Sequence, residues 1–143
     1  CIPTDTKAAG LYMICTLSKH EAEKNGFTDA LMLDYKGRVS ESTGSNIFLV
    51  INGEIHTPVP DCFLNGITRQ AVIEIAKNEG IKVIERDIYP DEIKNAEEIF
   101  LTGSAVEVTP VGKIDNQTFK VGDITAKISN LYMKEVDPNY KDN

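Results

Sequence analysis

Residues 47–51, Ile-Phe-Leu-Val-Ile, run straight into Asn52-Gly53, and Glu54-Ile55-His56-Thr57 follows. β-Branched and aromatic residues favour extended backbone. Asn-Gly is the strongest short signal for a two-residue hairpin turn, because both central residues must take positive φ. The centre of the chain is therefore committed to an antiparallel hairpin. Pro58 and Pro60 end the return strand, since proline has no N–H to give to a ladder.

Around this hairpin the sequence alternates strands with helices. Residues 8–25 read as a helix with Leu11, Ile14, Cys15, Ser18 and Ala22 on its inner face. Asn25-Gly26 stops it, because glycine tolerates the left-handed residue after a helix. Residues 29–34 read as a buried strand and Lys36-Gly37 as a turn. Asn65-Gly66 opens a second helix over 67–79, with Ala71, Val72, Ile75 and Ala76 inward and Gly80 closing it. Residues 81–88 read as a strand, and Pro90-Asp91-Glu92 as the start of a short helix. Residues 98–102 form another strand, ended by Gly103, and Val106, Val108 and Val111 continue extended. Asp115-Asn116 marks a turn. A last helix over about 123–136 turns Ile124, Ile128, Leu131 and Tyr132 inward. Hairpins mixed with helices define an α/β (mixed α+β) domain.

Length and charge narrow the partners. The 143 residues suit one domain. Hydrophobic residues are 41% and charged residues 26%, enough apolar content for a packed core. There are 22 acids against 15 bases, a net charge of −7, and no cluster of basic residues to meet phosphates. Nucleic acid and an anionic membrane surface are thus disfavoured. No apolar run approaches a membrane span of about 18 residues. Cys1, Cys15 and Cys62 are odd in number and widely spaced, which suits reduced thiols in a cytoplasmic protein and not a disulfide framework or a zinc site. His20 and His56 are isolated and read as surface histidines. No metal or nucleotide motif is present.

Three stretches have chemical potential. Lys7 precedes the first helix beside Ala8, Ala9 and Gly10. A positive helix end and burial would both favour its neutral amine, the form that Schiff-base chemistry requires; a solvated charge is the other reading. Leu64-Asn65-Gly66-Ile67-Thr68-Arg69 feeds a helix whose first N–H groups are free for an anion, although a plain cap explains it too. Leu101-Thr102-Gly103-Ser104-Ala105 ends a strand in small and hydroxyl-bearing residues, which allow close backbone approach to a ligand or simply a tight turn.

Taken in order, five stretches resemble the C-terminal domain of a branched-chain amino acid aminotransferase, in the fold-type IV group of pyridoxal-phosphate enzymes. They are Thr6-Lys7-Ala8-Ala9-Gly10-Leu11-Tyr12, Asp29-Ala30-Leu31-Met32-Leu33-Asp34, Glu41-Ser42-Thr43-Gly44-Ser45-Asn46-Ile47-Phe48, Leu64-Asn65-Gly66-Ile67-Thr68-Arg69 and the run from Thr102 to Pro110. The likeness extends from about Thr4 to Val136. It implies a barrel-like mixed sheet flanked by helices. It implies Lys7 as the catalytic lysine that holds pyridoxal 5'-phosphate covalently. Tyr12 would hydrogen-bond the cofactor's phenolic oxygen, Glu41 would face its pyridine nitrogen and Leu64 would pack on the ring. Ile67, Thr68 and Ser104 would bind its phosphate. Ser104, Ala105 and Val106 would receive the substrate carboxylate.

The resemblance further implies transamination of leucine, isoleucine or valine with 2-oxoglutarate, in a homodimer or larger homo-oligomer. D-Amino-acid transaminases and aminodeoxychorismate lyases share the framework, and a catalytically silent fragment is a third possibility. This chain has Leu11, Ser42, Ser45 and Ser104 where much of the family has asparagine, glycine, an acid and threonine; the last change keeps a hydroxyl. Family members place a phosphate-binding arginine and much of the substrate pocket in an N-terminal domain. With Lys7 so near the start and Cys1 in place of Met, residues 1–143 are expected to be the C-terminal cofactor-binding domain alone.

Overall fold

The computed structural model describes Lys7 and residues 12–141. Its organising strand is β3 (Asn46–Ile51), buried at its first five positions. A strand buried on both faces must pair along both edges, because an unpaired buried N–H or C=O costs a lost hydrogen bond. One edge of β3 carries β6 (Glu98–Gly103), antiparallel, from Asn46 opposite Thr102 to Val50 opposite Glu98. The other edge is shared. β4 (Glu54–Thr57) takes residues 49–51 and β2 (Val39–Ser42) meets only Asn46, through Glu41. β1 (Leu31–Leu33) extends the sheet beyond β2, and β7 (Glu107–Pro110) beyond β6. β5 (Val83–Glu85) pairs with β4 in the one parallel ladder of the described residues. It follows α2 (Ile67–Asn78), as a parallel connection needs a crossover. A separate hairpin, β8 (Lys113–Ile114) with β9 (Gln117–Thr118), precedes α3 (Asp123–Val136).

The alternation of β3 feeds two cores. Phe48 and Val50 face α2 and α3, packing with Ile55, Val72, Ala76, Phe100 and Ile128. Phe48 and Phe100, opposite each other, stack with centroids 4.9 Å apart and planes 5° from parallel. Ile47 and Leu49 face the other side and join Val39, Ile88, Ile93 and Ile99. Asn52 and Gly53 have φ of 52° and 73°, the positive pair that the hairpin turn requires. Glu98 caps α3 from the sheet: its carboxylate accepts from the backbone N–H groups of Ile124 and Thr125 at 3.3 and 2.7 Å.

Four expectations need correction. The strand expected over 81–88 shrinks to Val83–Glu85. Its partner β4 has only four residues, and the chain then turns so that Ile88 accepts from Val39 N–H at 2.7 Å and enters the second core. His56 is not a surface residue: it is buried in β4, and its Nδ1 accepts from Arg86 Nε at 3.0 Å. The first helix, α1, runs over Met13–Lys24, and residues 8–11 lie outside the described residues. Of its expected inner face, Cys15, Ser18 and Ala22 are only half-buried, Ile14 is exposed, and Leu11 lies outside the described residues. No residue of α1 is buried, and Met13, Ile14 and Leu17 are 71%, 60% and 63% exposed. Ala71 of α2 is half-buried, whereas Thr68, Arg69 and Ile73 join the buried face. Cys15 and Cys62 are free thiols; Cys1 lies outside the described residues.

One buried cation ties three loops. Arg38, at the end of the β1–β2 turn, donates to Asp34 at 2.6 Å, to Asp87 at 2.8 Å and to Asp61 at 2.9 Å. Burial pushes the Asp34 carboxyl up, but the N–H groups of Arg38 and Lys36 and the Arg38 guanidinium together hold it below the ordinary range. The guanidinium likewise holds Asp61 low. Depressed carboxylates stabilise the folded chain above their ordinary value of about 4, and that contribution is lost as pH falls through the folded value. The melting temperature is therefore expected to drop steeply below about pH 4. In Arg38→Met that acid slope should be shallower on a lower baseline, as thermal unfolding at stepped pH would show.

Candidate active site

The end of β3 at Asn46 is where the sheet's two edges run out, and three segments meet there. The first is the tight turn between β2 and β3. Ser42 N–H donates to Ser45 O at 2.8 Å, and the Thr43 hydroxyl donates to the Asp29 carboxylate. Glu41 sits just before this turn, opposite Asn46. It is half-buried and has no hydrogen bond or ion pair among the described residues. Burial pushes its carboxyl up to about 7. Tyr12, the residue before α1, lies within its field. The Tyr12 hydroxyl is pushed up by burial and further by the Glu41 and Cys15 charges. Cys15 is raised by burial first, then by Glu41, with Asp29 adding to it.

The second segment is the start of α2. Asn46 grips it with both ends of its amide. Nδ2 donates to Leu64 O at 2.9 Å, and Oδ1 accepts from Gly66 N–H at 3.2 Å. A Cβ on Gly66 would lie 2.5 Å from that Oδ1, so no side chain fits. No side chain caps α2, which leaves its first N–H groups, at Ile67 and Thr68, available. Ile67 is 85% exposed, whereas Thr68 is buried. Arg69 holds the segment from behind. It is buried and donates to Asn65 Oδ1 at 2.8 Å, to Pro58 O at 2.9 Å and to Glu85 at 2.7 Å.

The third segment is the turn at residues 104–106 between β6 and β7. Gly103 stands opposite Glu107, whose φ of 53° closes the turn. Thr109 donates its hydroxyl to Val106 O at 2.5 Å. Ser104 and Ala105 are exposed and Val106 is half-buried. A Cβ on Gly103 would lie 3.4 Å from Ser45 Oγ and from Val106 Cγ2, so this turn abuts the one beside Glu41. Two buried hydroxyls of the same region, Ser42 Oγ and Thr102 Oγ1, have no hydrogen-bond partner among the described residues.

Seven of the nine residues singled out in the sequence thus lie on three segments that converge on Asn46, and Tyr12 lies within the field of Glu41. Leu64 is half-buried at the mouth of the second. Lys7 is the exception: it is exposed, and no hydrogen bond or ion pair joins it to another described residue. The sequence reading missed Asn46 and Arg69 as organisers. An asparagine before an apolar run looks like a turn residue, and nothing local marks a buried arginine.

This end of the sheet thus presents uncapped helix N–H groups, an exposed Ser104 and a carboxylate with no side-chain partner among the described residues. The family model for amino-transferase class IV matches residues 3–114, and the chain belongs to that family. A probable branched-chain-amino-acid aminotransferase of Aquifex aeolicus is 43% identical over 140 residues, covering 94% of this chain and 45% of its own length. The crystal structure of the branched-chain aminotransferase of Thermoproteus uzoniensis with norvaline superposes with a TM-score of 0.91 at 40% identity, over 94% of this chain and 46% of that one. An aminotransferase from Brucella abortus bound to the co-factor PLP superposes at 0.89 with 38% identity, over 92% and 48%. The chain spans about half the length of these relatives. No helix among the described residues is long and apolar enough to cross a membrane.

The raised carboxyl of Glu41 gives the site a pH signature. The folded chain retains a proton there that the unfolded chain releases near pH 4.5, so stability falls as pH rises from about 4.5 to 7. Glu41→Gln removes that penalty. It should stabilise these 143 residues above pH 7 by on the order of 1–2 kcal/mol after solvent screening, with no gain at pH 4. Urea unfolding at both pH values measures the difference.

Proposed function

We propose that this chain is the C-terminal, cofactor-binding domain of a pyridoxal-phosphate-dependent aminotransferase that exchanges amino groups between leucine, isoleucine or valine and 2-oxoglutarate. The observation that carries the reading is Glu41, a half-buried carboxylate without a partner, raised by burial to about 7. A protonated pyridine nitrogen is the cation it lacks. The donor set fits the rest of the group: α2 offers uncapped N–H groups at the positive end of a 12-residue helix, the usual receptor for a phosphate.

When bound, pyridoxal phosphate supplies an electron sink for the bond-breaking at the amino acid's Cα. Each residue then has one task. Glu41 keeps a proton on the ring nitrogen. Tyr12 donates its hydroxyl to the phenolic oxygen. Leu64 covers a ring face and excludes water from it. Ile67 and Thr68, with the Ser104 hydroxyl, hold the phosphate. The backbone N–H groups of Ala105 and Val106 receive the substrate carboxylate beside Ser104. Lys7 is the residue that would hold the cofactor, and its free amine would be the base that moves a proton to and from the substrate Cα. One base serves both half-reactions.

The reading includes a longer protein. The exposed apolar face of α1 supports it, as does the exposure of Lys7. Isolated helices of about 12 residues are marginal in water, so a face of Met13, Ile14 and Leu17 calls for cover. The cover we assign is the remaining half of the enzyme, within a cytoplasmic homodimer. Leu17→Asp should leave these 143 residues within about 0.5 kcal/mol of their unsubstituted stability, yet lower the melting temperature of the full-length enzyme by several degrees. Equal effects in both would remove this surface from the interface.

The activity is tested on the full-length enzyme. Glutamate formation from 2-oxoglutarate should depend on L-leucine. Lys7→Ala should abolish the adduct trapped by borohydride and cut turnover by at least the roughly 10²–10⁴-fold that a general base supplies. Consumption of D-alanine without L-leucine would overturn the branched-chain assignment.

A further inference from the structure

Asn46 touches none of the atoms assigned above to cofactor or substrate, yet it is the one residue that joins the two ends of the site. It is buried, with 5% of its surface exposed. Its backbone is paired with Glu41 on one side and with Thr102 on the other. Its side chain is paired with Leu64 O and Gly66 N–H, at 2.9 and 3.2 Å. The carboxylate end of the site and the helix-start end are therefore separated by one residue's covalent geometry and two hydrogen bonds. Gly66 allows nothing else: any side chain there would collide with Asn46 Oδ1. The same contact cannot be made by aspartate, which accepts from Gly66 but has no donor for Leu64 O.

We propose that Asn46 is a positioning residue that fixes the start of α2 relative to Glu41, so that one rigid ligand is gripped at its ring nitrogen and its phosphate at once. This rests on the functional reading above. Preorganisation of this kind multiplies affinity, because the second contact costs no further ordering once the first is made. The role predicts a specific defect. Without Asn46 each end still binds its own part of the ligand, but the two no longer reinforce each other.

The test compares pyridoxal phosphate with pyridoxal, which lacks the phosphate, on the full-length apoenzyme, reading Kd by absorbance titration. In the unsubstituted enzyme the phosphate should strengthen binding greatly. Asn46→Ala should weaken pyridoxal phosphate by about tenfold or more, a loss typical of one or two hydrogen bonds, while pyridoxal changes less than threefold. Thr68→Ala in the Asn46→Ala background should then cost much less than it does alone, because the two act through the same helix start. Asn46→Asp keeps the Gly66 contact and serves if the alanine variant does not fold; it should show the same pattern in weaker form. Equal losses for both ligands, or additive Asn46 and Thr68 effects, would reduce Asn46 to a general fold residue and overturn the proposal. If the unsubstituted enzyme binds neither ligand, the functional reading falls, and this role falls with it.

Discussion

A strand buried on both faces has no freedom in how its edges are used, and β3 is that strand here. Phe48 and Val50 belong to one core, Ile47 and Leu49 to the other. Each face has already excluded water, so both edges must find backbone partners. β6 fills one edge over five residues. β4 and β2 divide the other, and β2 reaches only as far as Asn46. Where these ladders run out, backbone and side-chain polar groups must find other partners. The site lies at that end for this reason. Its turns, its helix start and its unpartnered hydroxyls are what remains when a doubly buried strand stops.

Charge placement separates the structural end of the sheet from the chemical one. Arg38 and Arg69 are both buried, and each is surrounded by acceptors: three carboxylates for Arg38, and Glu85 with Pro58 O and Asn65 Oδ1 for Arg69. Burying a charge costs several kcal/mol unless it is paired and hydrogen-bonded; both are ion-paired, and of their nitrogens only Arg69 Nε is left without a hydrogen-bond partner among the described residues. Glu41 is treated differently. It is half-buried, and no cation comes to it from the described residues, so its proton is held to about 7. A carboxyl perturbed in this way is a physical mark of a candidate binding or catalytic group. The contrast between ion-paired arginines and a glutamate with no ion pair among the described residues, within one small domain, is what gives that mark its weight.

Much of this architecture was legible in the sequence because it rests on local chemistry. The Asn52-Gly53 turn, the strand before it and the helix α3 over Asp123–Val136 follow from residue preference and period alone. So does Gly80, whose φ of 72° closes α2. What could not be read depends on partners far along the chain. Arg38 reaches Asp61 and Asp87, 23 and 49 residues away, and Asn46 reaches Leu64 across 18. His56 looked solvated because its polar neighbours in sequence suggested it; its burial comes from β5, which brings Arg86 against it. The site residues were found through motif order, a property of the family, and their convergence on Asn46 had no signal in spacing.

The error at α1 is the most instructive, because the periodicity was right and the inference from it was incomplete. A stripe of Met13, Ile14 and Leu17 does say that a face is to be covered. It does not say by what. In a closed domain the answer is the domain's own core, and that assumption put Ile14 of this stripe inside with Cys15, Ser18 and Ala22. Here it faces outward, beside Tyr12. Two exposed features then ask for the same thing in the proposed enzyme: the α1 face needs cover, and Lys7, exposed here, needs a wall that keeps water out. In the proposed enzyme a single docking event meets both. On that proposal the site of a chain that spans about half of each relative's length would be completed when this surface is covered.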